Sequence, residues 1–287
     1  MAQRLTPHFA DVQAHYDLSD DFFRLFLDPT QTYSCAYFER DDMTLEEAQI
    51  AKIDLALGKL GLQPGTTLLD IGCGWGATVR RAIEKYDVNV VGLTLSKNQA
   101  AHVQSVFDGM DTARSRRVLL QGWEEFREPV DRIVSIGAFE HFGHDRYGDF
   151  FGLADKVLPP DGVMLLHTIT GLSRKQLEDE GLPISIDLIR FIKFMVTEIF
   201  PGGRLPSIDM VEEHSAAMGF TLTRRQSLQQ HYARTLDLWG DALQAREADA
   251  IELQSQEVYD RYMRYLTGCA DLFRSGYIDV NQFTLQK

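Results

Sequence analysis

The sequence contains few cysteines, and none of them belongs to a recognisable motif. Cys35, Cys73 and Cys269 are odd in number and show no C-x-x-C spacing. Such a set predicts neither a disulfide framework nor a zinc site, so no metal is expected. Free thiols are typical of a reducing compartment, and the sequence therefore indicates a cytoplasmic protein.

Basic residues are also scarce. The chain has 29 lysines and arginines against 42 acidic residues, which leaves a net charge of −13 and a pI near 5.0. This balance opposes the counterion-release binding that a general nucleic-acid partner needs. We therefore expect no nucleic acid among the partners.

Long apolar runs and a signal-peptide pattern are lacking as well. No run reaches the ~18 apolar residues of a membrane span, and the N-terminus lacks a charged segment followed by an apolar one. We expect no transmembrane segment, so any connection with lipid is peripheral or through the substrate. No repeat, low-complexity run or linker divides the 287 residues, which predicts one domain with helical additions.

The most informative stretch runs from Leu68 to Gly76 and has the sequence LLDIGCGWG. It indicates a short buried strand that leads into a glycine-rich turn, and the helical composition of 77–86 completes a βα unit of a doubly wound sheet. The third glycine comes one residue too early for a dinucleotide site, and Asp70 would repel a diphosphate. A carboxylate there suits a zwitterionic ligand such as the aminoacyl end of S-adenosylmethionine. The alternative is an ordinary tight turn that needs glycine only for positive φ.

Two further strands, at 89–96 and 118–121, are expected to end at the same crevice. A nucleotide site usually has an acidic residue after the second strand, but here Thr94 and Gln99 must bind the ribose as neutral groups. Trp123 and Glu124 follow the third strand and are suited to an adenine face and its amino group. Alternatively, they are a packed tryptophan and a surface carboxylate.

The fourth and fifth predicted strands, 132–136 and 163–168, end in residues suited to chemistry. Glu140 follows the fourth strand among aromatic residues, where burial would raise its pKa and make it a base, ligand or anchor. It is equally consistent with a carboxylate at a helix N-terminus. His167 ends the fifth strand as either a core histidine or a site residue.

Helical patterns surround this predicted sheet. Thr44 and Glu47 form a capping-box signature at the start of a helix over 44–60, which is either a lid or structural padding. The apolar stretch 188–200 is either buried core or the wall of a long apolar pocket. Later patterns predict a strand at 219–227, helices at 235–248 and 257–275, and a last strand at 277–285.

Several long runs in register carry a resemblance that extends over essentially the whole chain. The sequence resembles the mycolic acid cyclopropane synthases of mycobacteria, a branch of the S-adenosylmethionine-dependent methyltransferases that is similar to cyclopropane fatty acid synthases. The runs are 12–23 (VQAHYDLSDDFF), 32–36 (TYSCA), the glycine turn, 92–96 (GLTLS), 137–143 (GAFEHFG), 198–203 (EIFPGG), His231-Tyr232 and 265–269 (YLTGC).

The resemblance implies a fold and a division of the chain. The fold is α/β, a class I S-adenosylmethionine-dependent methyltransferase with a Rossmann-like, seven-stranded, mostly parallel sheet. Residues 1–287 form a single methyltransferase domain, in which 1–62 are a helical lid and 63–170 the cofactor-binding core. Residues 171–215 are a lipid-pocket insertion, and 216–287 are the C-terminal part of the core.

The resemblance also implies two sets of site residues. S-adenosylmethionine is held by Tyr33, Ser34, Asp70, Gly72, Gly74, Thr94, Leu95, Gln99, Trp123 and Glu124. A bicarbonate or carbonate ion near the methyl group is held by Glu140, His167, Tyr232 and the Cys35 backbone, with Cys269 nearby. Because no side chain need act as a nucleophile, Cys269 is interpreted as a buried thiol rather than an attacking group.

The implied reaction is methyl transfer to a double bond of a very long meromycolyl chain, a mycolic acid precursor. An alkene is a poor nucleophile, so the reaction needs a sulfonium methyl donor, and it produces a carbocation that a dry aromatic site stabilises. Bicarbonate then removes the proton whose loss closes the cyclopropane ring. The expected partner is an acyl carrier protein bearing the unsaturated chain. Two alternatives are a related methyltransferase with a methyl-branched hydroxylated product and a non-catalytic lipid-binding protein.

Overall fold

The computed structural model describes residues 5–7 and 19–287. Its centre is a seven-stranded sheet. The strands are β1 (Thr67–Ile71), β2 (Asn89–Thr94), β3 (Arg116–Leu120), β4 (Arg132–Ile136), β5 (Val163–Gly171), β6 (Thr221–Ser227) and β7 (Ile278–Gln286). The run 12–23, which carries part of the resemblance, is described only from residue 19 onward, and residues 12–18 lie outside the described part of the chain.

The strands are arranged in the order β3-β2-β1-β4-β5-β7-β6. β1 to β5 pair in parallel, whereas β7 lies antiparallel between β5 and β6. The order reverses at β1 and β4, and in open α/β sheets ligands bind at such a switch point, outside the carboxyl ends of the strands. The predicted α/β fold with a mostly parallel seven-stranded sheet is therefore confirmed.

Helices cover both faces of the sheet. They are α1 (Asp20–Phe23), α2 (Leu45–Gly58), α3 (Ala77–Tyr86), α4 (Lys97–Asp108), α5 (Tyr147–Val157), α6 (Arg174–Asp179), α7 (Ile186–Phe194), α8 (Ile208–Ala217), α9 (Gln229–Ala245), α10 (Glu247–Leu253) and α11 (Gln256–Arg274). A π-helical turn, Met195–Ile199, continues α7. Among the described residues, none of these helices has both the length and the apolarity to cross a bilayer.

Neighbouring residues of the central strands β1 and β2 pack into separate hydrophobic clusters on opposite faces of the sheet. Leu68 packs with the helices on one side of the sheet, and Leu69 packs on the other. Val90 and Val91 divide in the same way. This alternation is the period of two expected of a strand buried on both faces.

Local signals placed several element ends correctly. Thr44 accepts a hydrogen bond from the Glu47 backbone N–H, while the Glu47 side chain accepts one from the Thr44 backbone N–H, so the predicted capping box is confirmed. α1 has only one turn and ends at Phe23, and residues 24–26 continue it as a turn. α9 begins at Gln229, six residues before the predicted start at Thr235.

Candidate active site

The carboxyl ends of β1, β2 and β4 border a cavity of about 140 Å³, which we call the polar cavity. The residues predicted to hold the cofactor all line it, namely Tyr33, Ser34, Asp70, Gly72, Gly74, Thr94, Leu95, Gln99, Trp123 and Glu124. They come from the segment before the sheet and from the carboxyl ends of β1, β2 and β3 with the residues that follow them. The fold therefore brings the whole predicted set to one place.

Two glycines of the turn meet different surroundings. Both have positive φ, 85° at Gly72 and 54° at Gly74. A Cβ on Gly72 would lie 2.5 Å from the Cβ of Ala138, whereas a Cβ on Gly74 would meet no described atom within 4 Å. Gly72 is thus required by close packing, and Gly74 leaves open space in the polar cavity.

Asp70 ends β1 as a buried carboxyl group. Its Oδ2 has no hydrogen-bond partner among the described residues. Burial raises the pKa of Asp70 to about 7, although the Lys52 ammonium acts in the opposite direction. An orphaned carboxyl oxygen in a ligand cavity is suited to a cationic group, such as an amino group.

Two polar residues of α2, Gln49 and Lys52, are fully buried beside the polar cavity and were not predicted. Lys52 Nζ donates to Ser34 Oγ at 2.7 Å, and Gln49 Nε2 donates to the carbonyl oxygen of Ser34 at 2.8 Å. Burial lowers the pKa of Lys52 to about 8. Both side chains hold the segment around Ser34 against the sheet. No sequence signal marked Gln49 and Lys52 as site residues, because polar residues at this spacing are also usual on the exposed face of a helix that only packs against the domain.

Hydrogen bonds and ring contacts hold the side chains that follow β2 and β3 in place. Thr94 Oγ1 donates to Gln99 Oε1 at 2.8 Å, which leaves the Gln99 amide N–H groups available to a ligand. Glu124 Oε1 accepts a hydrogen bond from Arg146 Nη1 at 2.9 Å. Trp123 packs against Phe142 and Phe150, each with its ring centroid 5.5 Å away. Glu124 is therefore a buried, paired carboxylate and not the surface group of the alternative interpretation.

A second cavity, of about 610 Å³, lies next to the first and is largely apolar. We call it the apolar cavity. The two cavities share the wall residues Tyr33, Ser34, Gly137 and His141. Glu140, His167, Tyr232 and Cys269 all line the apolar cavity. A group bound in one cavity is thus adjacent to a group bound in the other.

Glu140 lies in a single turn of 3₁₀ helix, Phe139–His141, directly after β4. Its Oε1 accepts a hydrogen bond from the backbone N–H of Ile169 at 2.7 Å. Its Oε2 has no hydrogen-bond partner within the described part of the chain. Burial raises the pKa of Glu140 above its ordinary value.

His167 does not end its strand as predicted, because pairing with β7 extends β5 to Gly171. It lies within β5 and is almost completely buried. Its Nδ1 is 3.2 Å from Nε2 of Gln282, and its Nε2 has no hydrogen-bond partner in the part of the chain that the structure describes. Burial, reinforced by the cations of Lys52 and Lys59, lowers the pKa of His167 well below its ordinary value. The imidazole is therefore neutral at physiological pH.

The other predicted residues take different places around the apolar cavity. The Tyr232 ring packs on Phe273, with the centroids 4.6 Å apart. The Cys269 thiol lies 3.9 Å from the sulfur of Met195, and burial raises its pKa, so it remains protonated. Cys35 is fully buried, and its side chain is among the lining residues of neither cavity. Its thiol donates instead to the carbonyl oxygen of Ala36 at 3.1 Å.

The apolar segment 188–200 combines the two interpretations that its sequence left open. Ile192 and Val196 line the apolar cavity, whereas Phe194 and Ile199 belong to the buried core. A third side faces solvent, where Ile189 is 55% exposed. The segment is thus a wall between the cavity and solvent that is anchored by core residues.

Comparisons with known proteins agree with this geometry. The profile of the family described as mycolic acid cyclopropane synthetase matches residues 3–283. Cyclopropane mycolic acid synthase MmaA2 of Mycobacterium tuberculosis is 79% identical over 287 residues, which is all of both chains.

Solved structures agree over nearly the whole chain. The structure of the cyclopropane synthase MmaA2 from Mycobacterium tuberculosis has a TM-score of 0.98 at 79% identity and covers 99% of this chain and 100% of its own. Mycolic acid cyclopropane synthase CmaA1 complexed with SAH and CTAB has a TM-score of 0.97 at 75% identity, with the same coverage. The chain therefore belongs to the mycolic acid cyclopropane synthetase family, whose enzymes have the class I S-adenosylmethionine-dependent methyltransferase fold.

Proposed function

We propose that the protein transfers a methyl group from S-adenosylmethionine to a double bond of a very long meromycolyl chain and closes it into a cyclopropane ring. The observation that carries this proposal is the wall shared by the two cavities. Tyr33, Ser34, Gly137 and His141 separate a polar cavity at the glycine turn from an apolar cavity of about 610 Å³. A methyl donor in the first and an acyl chain in the second would meet at this wall.

The polar cavity fits S-adenosylmethionine by its open glycine turn and its orphaned carboxyl group. The space at Gly74 accepts a close ligand, and Asp70 Oδ2 would accept a hydrogen bond from the amino group. Gln99 has amide N–H groups available for a ribose hydroxyl. When bound, S-adenosylmethionine supplies an electrophilic methyl group, whose transfer leaves S-adenosylhomocysteine.

The apolar cavity fits an alkyl chain. Leu188, Ile192, Met195 and Val196 form one side of it. The relative CmaA1 was crystallised with CTAB, a detergent with one long alkyl chain. Burial of the chain would exclude water from the reacting double bond.

Aromatic side chains line the apolar cavity, and one of them, Tyr33, belongs to the shared wall. Tyr33, Tyr232 and Tyr265 belong to this lining. The π electrons of the alkene form the first new bond to the methyl carbon, which leaves a cation on the neighbouring carbon. Aromatic faces stabilise a cation by their quadrupoles, by more when water is absent.

Ring closure requires loss of a proton from the added carbon, whose C–H electron pair becomes the second ring bond. The orphaned Glu140 Oε2 and His167 Nε2 both belong to residues that line the apolar cavity, so an anion there would find polar partners. Glu140, His167, Tyr232 and the Cys35 backbone would hold bicarbonate or carbonate, which supplies the base when bound. Glu140 must carry a proton to donate to such an anion, and its raised pKa favours that form.

The remaining assignments complete the proposal. The substrate is carried by an acyl carrier protein, because a very long free chain would not remain in water. Residues 1–62 act as a lid, 63–170 as the cofactor core, 171–215 as the lipid-pocket insertion and 216–287 as the rest of the core within one domain.

Isotope transfer tests the proposed activity. The protein is incubated with methyl-labelled S-adenosylmethionine and a cis-unsaturated long acyl chain on acyl carrier protein, and the released chain is analysed by mass spectrometry. We expect a gain of one methylene with loss of the double bond. A methyl-branched alcohol would instead support the hydroxylating alternative, and absence of label in the lipid would support a binding protein.

A further inference from the structure

A row of polar side chains runs across three adjacent strands behind the apolar cavity. His167 on β5 pairs with Gln282 on β7, and Gln282 pairs with Gln226 on β6. Lys59, at the C-terminal end of α2, donates from Nζ to Gln282 Oε1 at 2.6 Å and to Gln226 Oε1 at 2.8 Å. The row thus connects a buried histidine with a lysine that lines neither cavity.

The lysine determines which end of the Gln282 amide faces His167. Burial and the neighbouring Arg224 lower the pKa of Lys59 to about 8, so the amine is protonated at neutral pH. An ammonium group has only donors, and therefore the carbonyl oxygen of Gln282 must face it. The amide N–H₂ of Gln282 then faces His167 Nδ1, 3.2 Å away.

The amide in turn determines the tautomer of His167. The Gln282 amide nitrogen has only hydrogens to offer, so Nδ1 of His167 must accept. A neutral imidazole has one N–H, which then lies on Nε2. Nε2 is the orphaned nitrogen of a residue that lines the apolar cavity.

We propose that Lys59 and Gln282 are positioning residues that hold His167 as the Nε2–H tautomer, so that it donates a hydrogen bond to an oxyanion in the apolar cavity. The consequence for catalysis rests on the proposed function, but the tautomer itself does not. With Nε2 as a donor, His167 binds the anion and does not itself remove the proton. In metal sites, removal of the partner that fixes the tautomer of a ligating histidine typically lowers affinity or activity by about 10- to 100-fold, and we expect a loss of the same order when the tautomer of His167 is changed.

Selective ¹⁵N-histidine labelling tests the tautomer without any substrate. Long-range ¹H–¹⁵N spectra distinguish a protonated from an unprotonated ring nitrogen, and the His167 signals are assigned by their loss in His167→Asn. We expect Nε2 to be protonated and Nδ1 unprotonated at pH 7 in the protein alone. A proton on Nδ1 would overturn the proposal.

Two variants and a matched control test the relay. Gln282→Glu offers only acceptors to Nδ1, so we expect Nδ1 to become protonated. Lys59→Met removes the ammonium that orients the Gln282 amide, so we expect a mixture of His167 tautomers. This variant keeps the relay testable if Gln282→Glu does not fold. Gln226→Leu removes a partner of Lys59 that does not contact His167, and its spectrum should match that of the unmodified protein. Unchanged His167 signals in Lys59→Met would overturn the relay.

Turnover separates this inference from the proposed function. In Gln282→Glu we expect kcat to fall about 10- to 100-fold. In Lys59→Met we expect kcat to fall only in proportion to the lost fraction of the Nε2–H tautomer, with little change in KM, because Lys59 does not line the substrate cavity. If the unmodified protein shows the expected tautomer but forms no cyclopropane, the proposed function fails and the relay stands. If cyclopropane forms at equal rates in Lys59→Met and Gln226→Leu, the catalytic role of the relay fails alone.

Discussion

At the scale of single residues, the site depends on buried polar atoms that lack a partner. Asp70, Glu140 and His167 are each less than 10% exposed, and each has one orphaned side-chain atom within the described chain. Native proteins rarely leave such atoms unpaired, because desolvation without a hydrogen bond is unfavourable. A ligand that forms hydrogen bonds with these three atoms would therefore gain most of its binding free energy there.

The charge of Asp70 predicts how cofactor affinity varies with pH. The pKa of Asp70 is raised to about 7, so the carboxylate that an amino group needs forms only as the pH rises through that value. The pKa of Lys52 is lowered to about 8, so its positive charge, which suits the carboxylate of the same ligand, is lost above that pH. We expect affinity for S-adenosylhomocysteine, measured by calorimetry, to be highest between about pH 7 and pH 8.

Variants separate the two limbs of this profile. Asp70→Asn should weaken binding and abolish the increase in affinity that accompanies a rise in pH toward 7. Lys52→Met should abolish the decrease in affinity above pH 8. An unchanged affinity in Asp70→Asn across this range would exclude an ammonium partner for Asp70.

Glu140 is expected to support proton removal during ring closure. Glu140→Gln keeps the shape of the side chain but removes its titratable proton. We expect cyclopropane formation to slow by about 10²- to 10⁴-fold, the usual range for lost acid–base assistance, with a shift toward uncyclised methylated alkene or alcohol. Mass spectrometry of the chains gives both quantities. Full cyclopropane yield at the normal rate in bicarbonate-depleted buffer would contradict this role.

At the scale of elements, the glycine turn and the apolar segment 188–200, which we call the α7 segment, each divide their residues between fold and ligand. In the turn, the division follows from the space beside each Cα. In the α7 segment, it follows from helical periodicity, which points side chains toward the cavity, the core and solvent in succession.

Two alanine variants test the division within the turn. Gly72→Ala brings a Cβ to 2.5 Å from Ala138, so we expect lower stability as well as weaker cofactor binding. The Cβ of Gly74→Ala meets no atom of the described residues within 4 Å, so we expect weaker binding and only the loss of about 1–2 kcal/mol from its left-handed backbone. Denaturant melts beside cofactor titrations measure both effects. Equal loss of stability in the two variants would contradict the division.

The α7 segment is tested by a cavity position and a core position. Val196→Asp should reduce turnover of the acyl chain, while the free energy of unfolding changes by about 0.5 kcal/mol or less because this side chain is 41% exposed. Phe194→Lys buries a charge beside the Arg264 guanidinium, which lies 4.1 Å from the ring centroid, so we expect unfolding. Val196→Leu, which stays apolar, should retain turnover. Loss of folding in Val196→Asp would show that this position belongs to the core.

At the scale of the whole molecule, the polar cavity joins parts of the chain that are distant in sequence. Its lining comes from the segment around Ser34, from the ends of β1 and β2, and from the loop after β4. A ligand that contacts all of them binds only the folded state, so its binding free energy adds to stability.

Cofactor binding is therefore expected to raise the melting temperature. At 100 times its Kd, S-adenosylhomocysteine should contribute about 2.7 kcal/mol, which corresponds to an increase of about 4–5 °C for a chain of this size. Scanning calorimetry measures the shift. Asp70→Asn should show a smaller shift at the same ligand concentration, and an equal shift in both proteins would place the ligand elsewhere.

Sequence patterns alone predicted the fold and a set of residues that line the polar cavity. The strand boundaries, the glycine turn and the capping box are local in origin, because alternation, positive φ and side-chain caps depend on residues a few positions apart. The carboxyl ends of parallel strands meet at one edge, so the strand pattern alone assigns the residues after each strand to one crevice.

The pairing of side chains that are distant in sequence depends on the tertiary structure. Lys52 contacts Ser34 from a helix that could have been padding, and Gln282 reaches His167 across 115 positions of sequence. The three sides of the α7 segment likewise became distinct only when the cavity and the core were in place. Pairing between distant elements depends on the register of β7 against β5 and on the packing of α2 beside the sheet, and neither leaves a local pattern in the sequence.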